Sequence, residues 1–146
     1  MLHLDRPETW LAIHGFLLAF LWEMLQMPFY DMGELSAWQV TVRCGLASFG
    51  DAGIMVFGYT VASRFAKDWY WLHRLNWPPM VVFLATGQIV TISIELIALR
   101  VPWGWSYSER MPILWEIGLI PVLMWIAVPL LALALARRSS ERGEPL

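Results

Sequence analysis

Four long apolar segments divide the chain, separated by short stretches that carry charged and turn-forming residues. They run roughly over 10–29, 38–63, 79–100 and 112–136. Each has about the 20 mostly apolar residues that a helix needs to cross a membrane. The pattern therefore predicts an all-α fold, a four-helix transmembrane bundle, built as a single integral membrane domain over residues 1–146.

The composition supports this class. The chain is 58% hydrophobic and only 15% charged, whereas a soluble domain carries about 25% charged residues. Ten tryptophans are present, and we interpret the Trp and Tyr residues at span ends as anchors at the membrane–water interface. The expected partner is the lipid bilayer. A net charge of −2 offers no basic surface for nucleic acid.

The basic residues predict which way the bundle faces. Four spans put both termini on one side, and seven of the ten basic residues fall on that side: Arg6, Arg64, Lys67, Arg74, Arg137, Arg138 and Arg142. Because cytoplasmic loops carry an excess of Lys and Arg, we expect the N- and C-termini to be cytoplasmic. The first and third loops then face outward.

Five ionisable residues fall inside the predicted spans: Glu23, Arg43, Asp51, Glu95 and Glu116. A charge at the centre of a membrane helix costs about 2.5–3.5 kcal/mol on insertion scales, so such residues usually face the bundle interior or water. All except Asp51, which lies nearest the midplane, fall toward the outer ends of their spans. This clustering predicts a polar pocket between the helices that opens outward.

Two stripes of polar residues at helical spacing extend the pocket, Glu23, Gln26 and Tyr30 on the first span and Gln88, Thr91 and Glu95 on the third. Arg43 is the expected counter-ion for Glu23 or Glu95. We take Glu23 and Glu95 as the candidate catalytic acid or base. The candidate binding residues are Gln26, Arg43, Asp51, Gln88, Thr91, Tyr107 and Glu116.

Each of these residues also has a purely structural interpretation. Arg43 with a carboxylate can be a structural ion pair, and Glu116 lies close enough to the interface to be solvated. Asp51 can simply hydrogen-bond a neighbouring helix. The second span has a small-xxx-small pattern that permits close helix approach, and His14 is expected to be held by a hydrogen bond. The chain has neither a phosphate-binding loop nor a nucleophile elbow or HExxH motif, so no cofactor and no metal is predicted.

Two stretches carry a resemblance to known proteins. Phe20-Leu-Trp-Glu-Met-Leu-Gln-Met-Pro-Phe-Tyr30 and Trp105-Ser-Tyr107…Met111-Pro112…Gly118-Leu-Ile-Pro121 resemble a family of small, uncharacterised four-helix integral membrane proteins of bacteria. The resemblance implies a multi-pass protein of the bacterial inner (plasma) membrane.

A second set of residues, Glu95…Trp105-x-Tyr107…Pro112…Glu116, is loosely similar to the lycopene (carotenoid) cyclase domain family. That likeness implies membrane carboxylates beside a Trp-x-Tyr loop and acid-driven closure of a polyene end. The chain departs from the family at Pro112-Ile-Leu-Trp-Glu116, which has one carboxylate where the family has Pro-x-Glu-Glu or Pro-x-Glu-Asp.

Three functions fit these observations. The pocket can bind or modify an isoprenoid or other membrane lipid, an apolar small molecule that enters from the bilayer. Alternatively, Asp51 can be the proton or cation site of a small transporter, which would need a homo-oligomer because four helices make a thin wall. Thirdly, the chain can be a non-catalytic subunit that contacts a membrane partner.

Overall fold

The computed structural model describes residues 6–142. In chain order it contains helix α1 (Pro7–Gln26) with a 3-10 turn (Met27–Phe29), α2 (Ala37–Ala66), a short α3 (Trp71–Arg74), α4 (Trp77–Ala98), strands β1 (Ile113–Leu114) and β2 (Ile117–Gly118), and α5 (Leu119–Arg142). Four of the helices are long and apolar enough to cross a membrane. The predicted all-α, four-helix architecture is confirmed.

Local signals place the helix ends. α2 begins at a capping box in which Ser36 and Gln39 satisfy each other's backbone N–H groups, and it ends where Lys67 takes a left-handed conformation (φ 53°). α4 has prolines in its first turn, where a missing N–H costs no helical hydrogen bond. The first three spans therefore begin and end within a few residues of the predicted bounds.

The fourth span begins later than predicted. Residues 112–118 were expected to open this helix, but β1 and β2 pair there as an antiparallel hairpin. Trp115 and Glu116 form its turn with φ values of 50° and 67°, a region that a helix does not contain. Glu116 is consequently an exposed loop residue, 3.2 Å from Arg100 in an ion pair. Its predicted position inside a span was wrong.

The bundle has two different ends. At one end, the first and third loops are joined by a β-bridge between Tyr30 and Tyr107. At the other end, His14 Nε2 lies 2.9 Å from Ser139 Oγ, which brings the start of α1 beside the end of α5 and confirms the hydrogen bond expected for His14. We call these the loop end and the terminal end.

The terminal half holds the tightly packed core. Its largest side chains are fully buried and come from α1, α2, α3, α4 and α5: Leu11, Met55, Tyr59, Trp71, Phe83, Trp125 and Leu133. Gly87 makes room for the Trp125 ring, since a Cβ at Gly87 would lie 2.3 Å from it. The loop half is packed differently and contains the site.

Candidate functional site

A cavity of about 470 Å³ lies in the loop half, between α1, α2 and α4 and beneath the third loop. Six of the nine predicted site residues line it: Glu23, Gln26, Arg43, Asp51, Thr91 and Glu95. The structure therefore brings these six residues together around one cavity, whose wall is otherwise mainly apolar. Its volume falls within the range of about 300–1,000 Å³ that small-molecule sites occupy.

Glu95 is the most extensively bonded carboxylate of the cavity. It is 5% exposed. Its Oε2 accepts hydrogen bonds from the Tyr107 hydroxyl at 2.5 Å and from the Trp105 indole at 3.2 Å, and its Oε1 accepts one from the Tyr30 hydroxyl at 3.3 Å. The first and third loops thus surround the Glu95 carboxyl group at the end of α4 with three hydrogen-bonding side chains.

Tyr107 and Tyr30 are held as hydrogen-bond donors. Burial raises the pKa of Tyr107, and its hydrogen bond to Glu95 raises it further. Burial also raises the pKa of Tyr30, with an added contribution from the negative charge of Glu95. The Tyr107 oxygen in turn accepts the backbone N–H of Gly118 at 3.0 Å. Tyr107 acts on the cavity through Glu95, since it does not itself line the wall.

Glu23 has a lighter network on α1. The Gln26 side-chain amide donates to Glu23 Oε1 at 2.7 Å, and the Trp22 indole donates to Gln26 Oε1 at 3.1 Å. Gln26 is buried, whereas Glu23 is partly exposed to the cavity. The predicted stripe on the first span therefore faces the site.

Asp51 lies near the middle of α2 and lines the inner end of the cavity. Its carboxyl interacts with the indole of Trp125 on α5. Trp125 is itself 1% exposed and lines the same inner end. Asp51 is thus in contact with a neighbouring helix and also open to the cavity.

Arg43 was expected to pair with Glu23 or Glu95, and it does not. Over residues 6–142, no ion pair joins it to Glu23 or Glu95. Its side chain is exposed at the rim, where it also lines a second cavity together with Asp31 and Glu34. The predicted role of Arg43 rested only on its depth in the span. Cys44 and Ser48 occupy the buried face of α2, so the Arg43 side chain points away from the interior.

Two further predicted residues lie outside the cavity. Gln88 Nε2 donates to the Val122 carbonyl of α5 at 2.8 Å, which ties two helices together. Glu116 is exposed in the hairpin turn. Both predictions assumed a continuous helical face. The hairpin removes Glu116 from such a face, and α5 lies where it accepts the Gln88 side chain.

Thr91 stands apart from the other hydroxyl side chains of the spans. Six of those bond the carbonyl four residues earlier in their own helix: Thr41, Ser48, Thr60, Ser63, Thr86 and Ser93. Thr91 is only 8% exposed, lines the cavity, and its Oγ1 has no hydrogen-bond partner. A buried polar atom left unpaired costs about 1–3 kcal/mol, so this hydroxyl lowers the stability of the helix packing beside the cavity.

Apart from Tyr30, which belongs to the predicted stripe on the first span, the aromatic wall was not predicted as part of the site. Tyr30, Trp103, Trp105 and Trp125 all line the cavity. The first three lie at span ends, where an interfacial anchor and a wall residue look alike in sequence. Trp125 lies within an apolar run that carries no signal of its own.

The donor set does not suggest a metal centre. Among the residues that the structure describes, no three His, Cys, Asp or Glu side chains are grouped closely enough to hold a metal ion. Glu23, Asp51 and Glu95 therefore surround the cavity as separate groups on three helices. What the arrangement offers is a binding volume with anionic, hydroxyl and aromatic contacts.

Comparison of the chain with protein-family models, curated proteins and solved structures finds no match.

Proposed function

We propose that this protein binds a membrane-soluble amphiphile, an isoprenoid or another lipid, whose polar end enters the cavity sideways from the bilayer. The observation that carries the proposal is a mainly apolar cavity with a few polar side chains in its wall, inside a bundle whose outer surface is apolar. A ligand with a polar head and an apolar tail matches that combination.

The rim of the cavity supports lateral entry. Leu46 and Ile94 line the cavity and are 69% and 42% exposed. Gly50 also lines it, and a Cβ there would meet nothing within 4 Å. A span surface of this kind faces lipid in a membrane, so the gap beside α2 opens toward acyl chains.

The packing of the other half favours binding over passage. Along α2 the lining runs from Arg43 to Ile54, which is about 16 Å at a rise of about 1.5 Å per residue. Beyond it, Met55 and Tyr59 are fully buried in the core. A cavity backed by a packed core is better suited to hold a ligand than to conduct an ion.

We further propose that the protein lies in the bacterial inner membrane with both termini in the cytoplasm. The distribution of basic residues supports this orientation. The cavity would then face the outer leaflet.

The test is mass spectrometry of lipids that co-purify with the protein. Gly50→Trp should fill the mouth and remove the bound lipid. Gly53→Trp is the matched control, because Gly53 is equally open and does not line the cavity. Equal lipid content in both variants and the parent, or no specific lipid in the parent, would refute the proposal. A partner chain recovered instead would favour the subunit function.

If the ligand is also chemically modified, Glu23 is the better candidate acid. Glu95 is held by three side chains, whereas Glu23 accepts one hydrogen bond from Gln26 and faces the cavity. Glu23→Gln should then abolish turnover of the co-purified lipid while the protein still inserts. Unchanged turnover in Glu23→Gln and in Glu95→Gln would leave binding alone.

A further inference from the structure

The charges around the cavity are unbalanced. Three carboxyl groups line it, from Glu23 on α1, Asp51 on α2 and Glu95 on α4, and Arg43 is the one basic residue among the lining residues. Among the side chains that the structure describes, no Lys, Arg or His nitrogen lies within 4 Å of an oxygen of these three carboxyl groups. A buried carboxyl group without a counter-charge either keeps its proton or takes a positively charged partner, so the cavity offers a place for a cation.

The three carboxyl groups do not have equal roles. Glu95 is occupied by the donors of Tyr30, Trp105 and Tyr107, which fix it as part of the wall. Glu23 and Asp51 have lighter protein contacts and face the open volume. These two are the groups that a ligand would contact.

The remaining walls suit a bulky organic cation. Tyr30, Trp103, Trp105 and Trp125 line the cavity, and aromatic faces attract ammonium groups by cation–π interaction. A compact metal ion is disfavoured, because among the described residues no three potential ligands converge and the volume of about 470 Å³ is far larger than an ion.

We propose that the polar head of the ligand is an organic cation, an amine or quaternary ammonium with an apolar remainder, held between the Glu23 and Asp51 carboxylates and the Trp rings. This inference rests on the proposed function, since it names the chemical class of the molecule bound at that site. An anionic head would be repelled by any of these carboxyl groups that is ionised, whereas a cationic head gives them a counter-charge.

The test compares two probes of the same shape and opposite charge, tetraphenylphosphonium and tetraphenylborate, by equilibrium dialysis against the purified protein in an uncharged detergent. Tetraphenylphosphonium should bind at least about tenfold more tightly than tetraphenylborate. Glu23→Gln and Asp51→Asn should each weaken cation binding by about tenfold, the loss expected for one charge contact.

Glu116→Gln is the matched control, since Glu116 is an exposed carboxylate outside the cavity. It should bind the cation as the parent does, and circular dichroism should show the same helix content in every variant. Because Glu23 and Asp51 lie on different helices, failure of one variant to fold leaves the other to decide.

Preference for tetraphenylborate, equal binding of both probes, no binding of either, or cation binding unaffected by Glu23→Gln and Asp51→Asn would overturn the inference. The proposed function is judged separately by lipid retention in Gly50→Trp and Gly53→Trp. Loss of lipid in Gly50→Trp without cation preference would retain the binding function and reject the cationic head. Cation binding without a co-purified lipid would reject the lipid-binding function and keep the cavity as a site for an organic cation.

Discussion

Single residues show which hydroxyl groups near the cavity have a hydrogen-bond partner and which do not. Of the hydroxyl side chains described above, Thr91 is the one whose oxygen is buried without a partner. Thr86, which lies about one and a half turns earlier on α4, donates to the Val82 carbonyl at 2.7 Å. Thr86 therefore adds a hydrogen bond to its helix, whereas the Thr91 hydroxyl beside the cavity adds none.

Replacing these two threonines with valine should therefore have opposite effects on stability. Thr91→Val removes an unsatisfied polar atom at constant shape, so the free energy of unfolding should stay the same or rise by up to about 1 kcal/mol. Thr86→Val removes a hydrogen bond and should lower it by about 0.5–1 kcal/mol. Thermal unfolding in one detergent measures both. A lower melting temperature for Thr91→Val than for Thr86→Val would mean that Thr91 is structural.

The two tyrosines that bond Glu95 should also contribute unequally to the free energy of unfolding. Tyr107 donates to Glu95 at 2.5 Å and accepts from Gly118, whereas Tyr30 makes one longer bond of 3.3 Å. Tyr107→Phe should cost about 1.5–3 kcal/mol, because it removes a bond to a charged group and leaves a backbone N–H unpaired. Tyr30→Phe should cost less. Equal unfolding temperatures for the two variants would contradict this ranking.

At the scale of elements, the sequence was most informative where the hydrophobic pattern was long. The first three spans were placed within a few residues. The start of α5 was missed because Ile113, Leu114 and Ile117 are as apolar as the helix that follows, and nothing in their hydropathy shows the left-handed turn at Trp115 and Glu116. An apolar hairpin and an apolar helix end share one pattern.

The candidate site was predictable only in part, for a related reason. Spacing along one helix correctly grouped Glu23 with Gln26, and Thr91 with Glu95, because helix geometry fixes those neighbours. It could not decide the direction of Arg43 or Gln88, since that depends on how α2 and α5 are rotated against other helices. The donors around Glu95 come from two loops, whose path no periodicity describes.

The glycines of two helices test the packing between elements. Gly87→Ala places a Cβ 2.3 Å from the Trp125 ring, whereas Gly53→Ala meets nothing within 4 Å. Overpacking should make Gly87→Ala less stable by about 1–3 kcal/mol. Gly53→Ala should gain about 0.5–1 kcal/mol from its higher helix propensity. Thermal unfolding of both variants is the measurement, and a stability loss for Gly53→Ala like that of Gly87→Ala would indicate an unseen contact at Gly53.

For the whole molecule, orientation in the membrane is the property to test first. Cys44 is 1% exposed, so the parent gives little background with a membrane-impermeant maleimide. On intact cells, Trp115→Cys at the loop end should be labelled, because the residue is 87% exposed on the side proposed to face outward. Lys67→Cys, beside α3 at the terminal end, should be labelled only after the membrane is permeabilised. The reverse pattern would invert the proposed topology.

The network around Glu95 has a consequence for how the protein is made. Trp105 and Tyr107 follow Glu95 by 10 and 12 residues, and Gly118, which holds the Tyr107 oxygen, comes later still. During synthesis the third span therefore leaves the ribosome before two of its three donors do. Tyr30, at the far end of the first span, has emerged earlier. The network around Glu95 is completed when the hairpin has also emerged, so this end of the bundle is among the last parts of the nascent chain to mature.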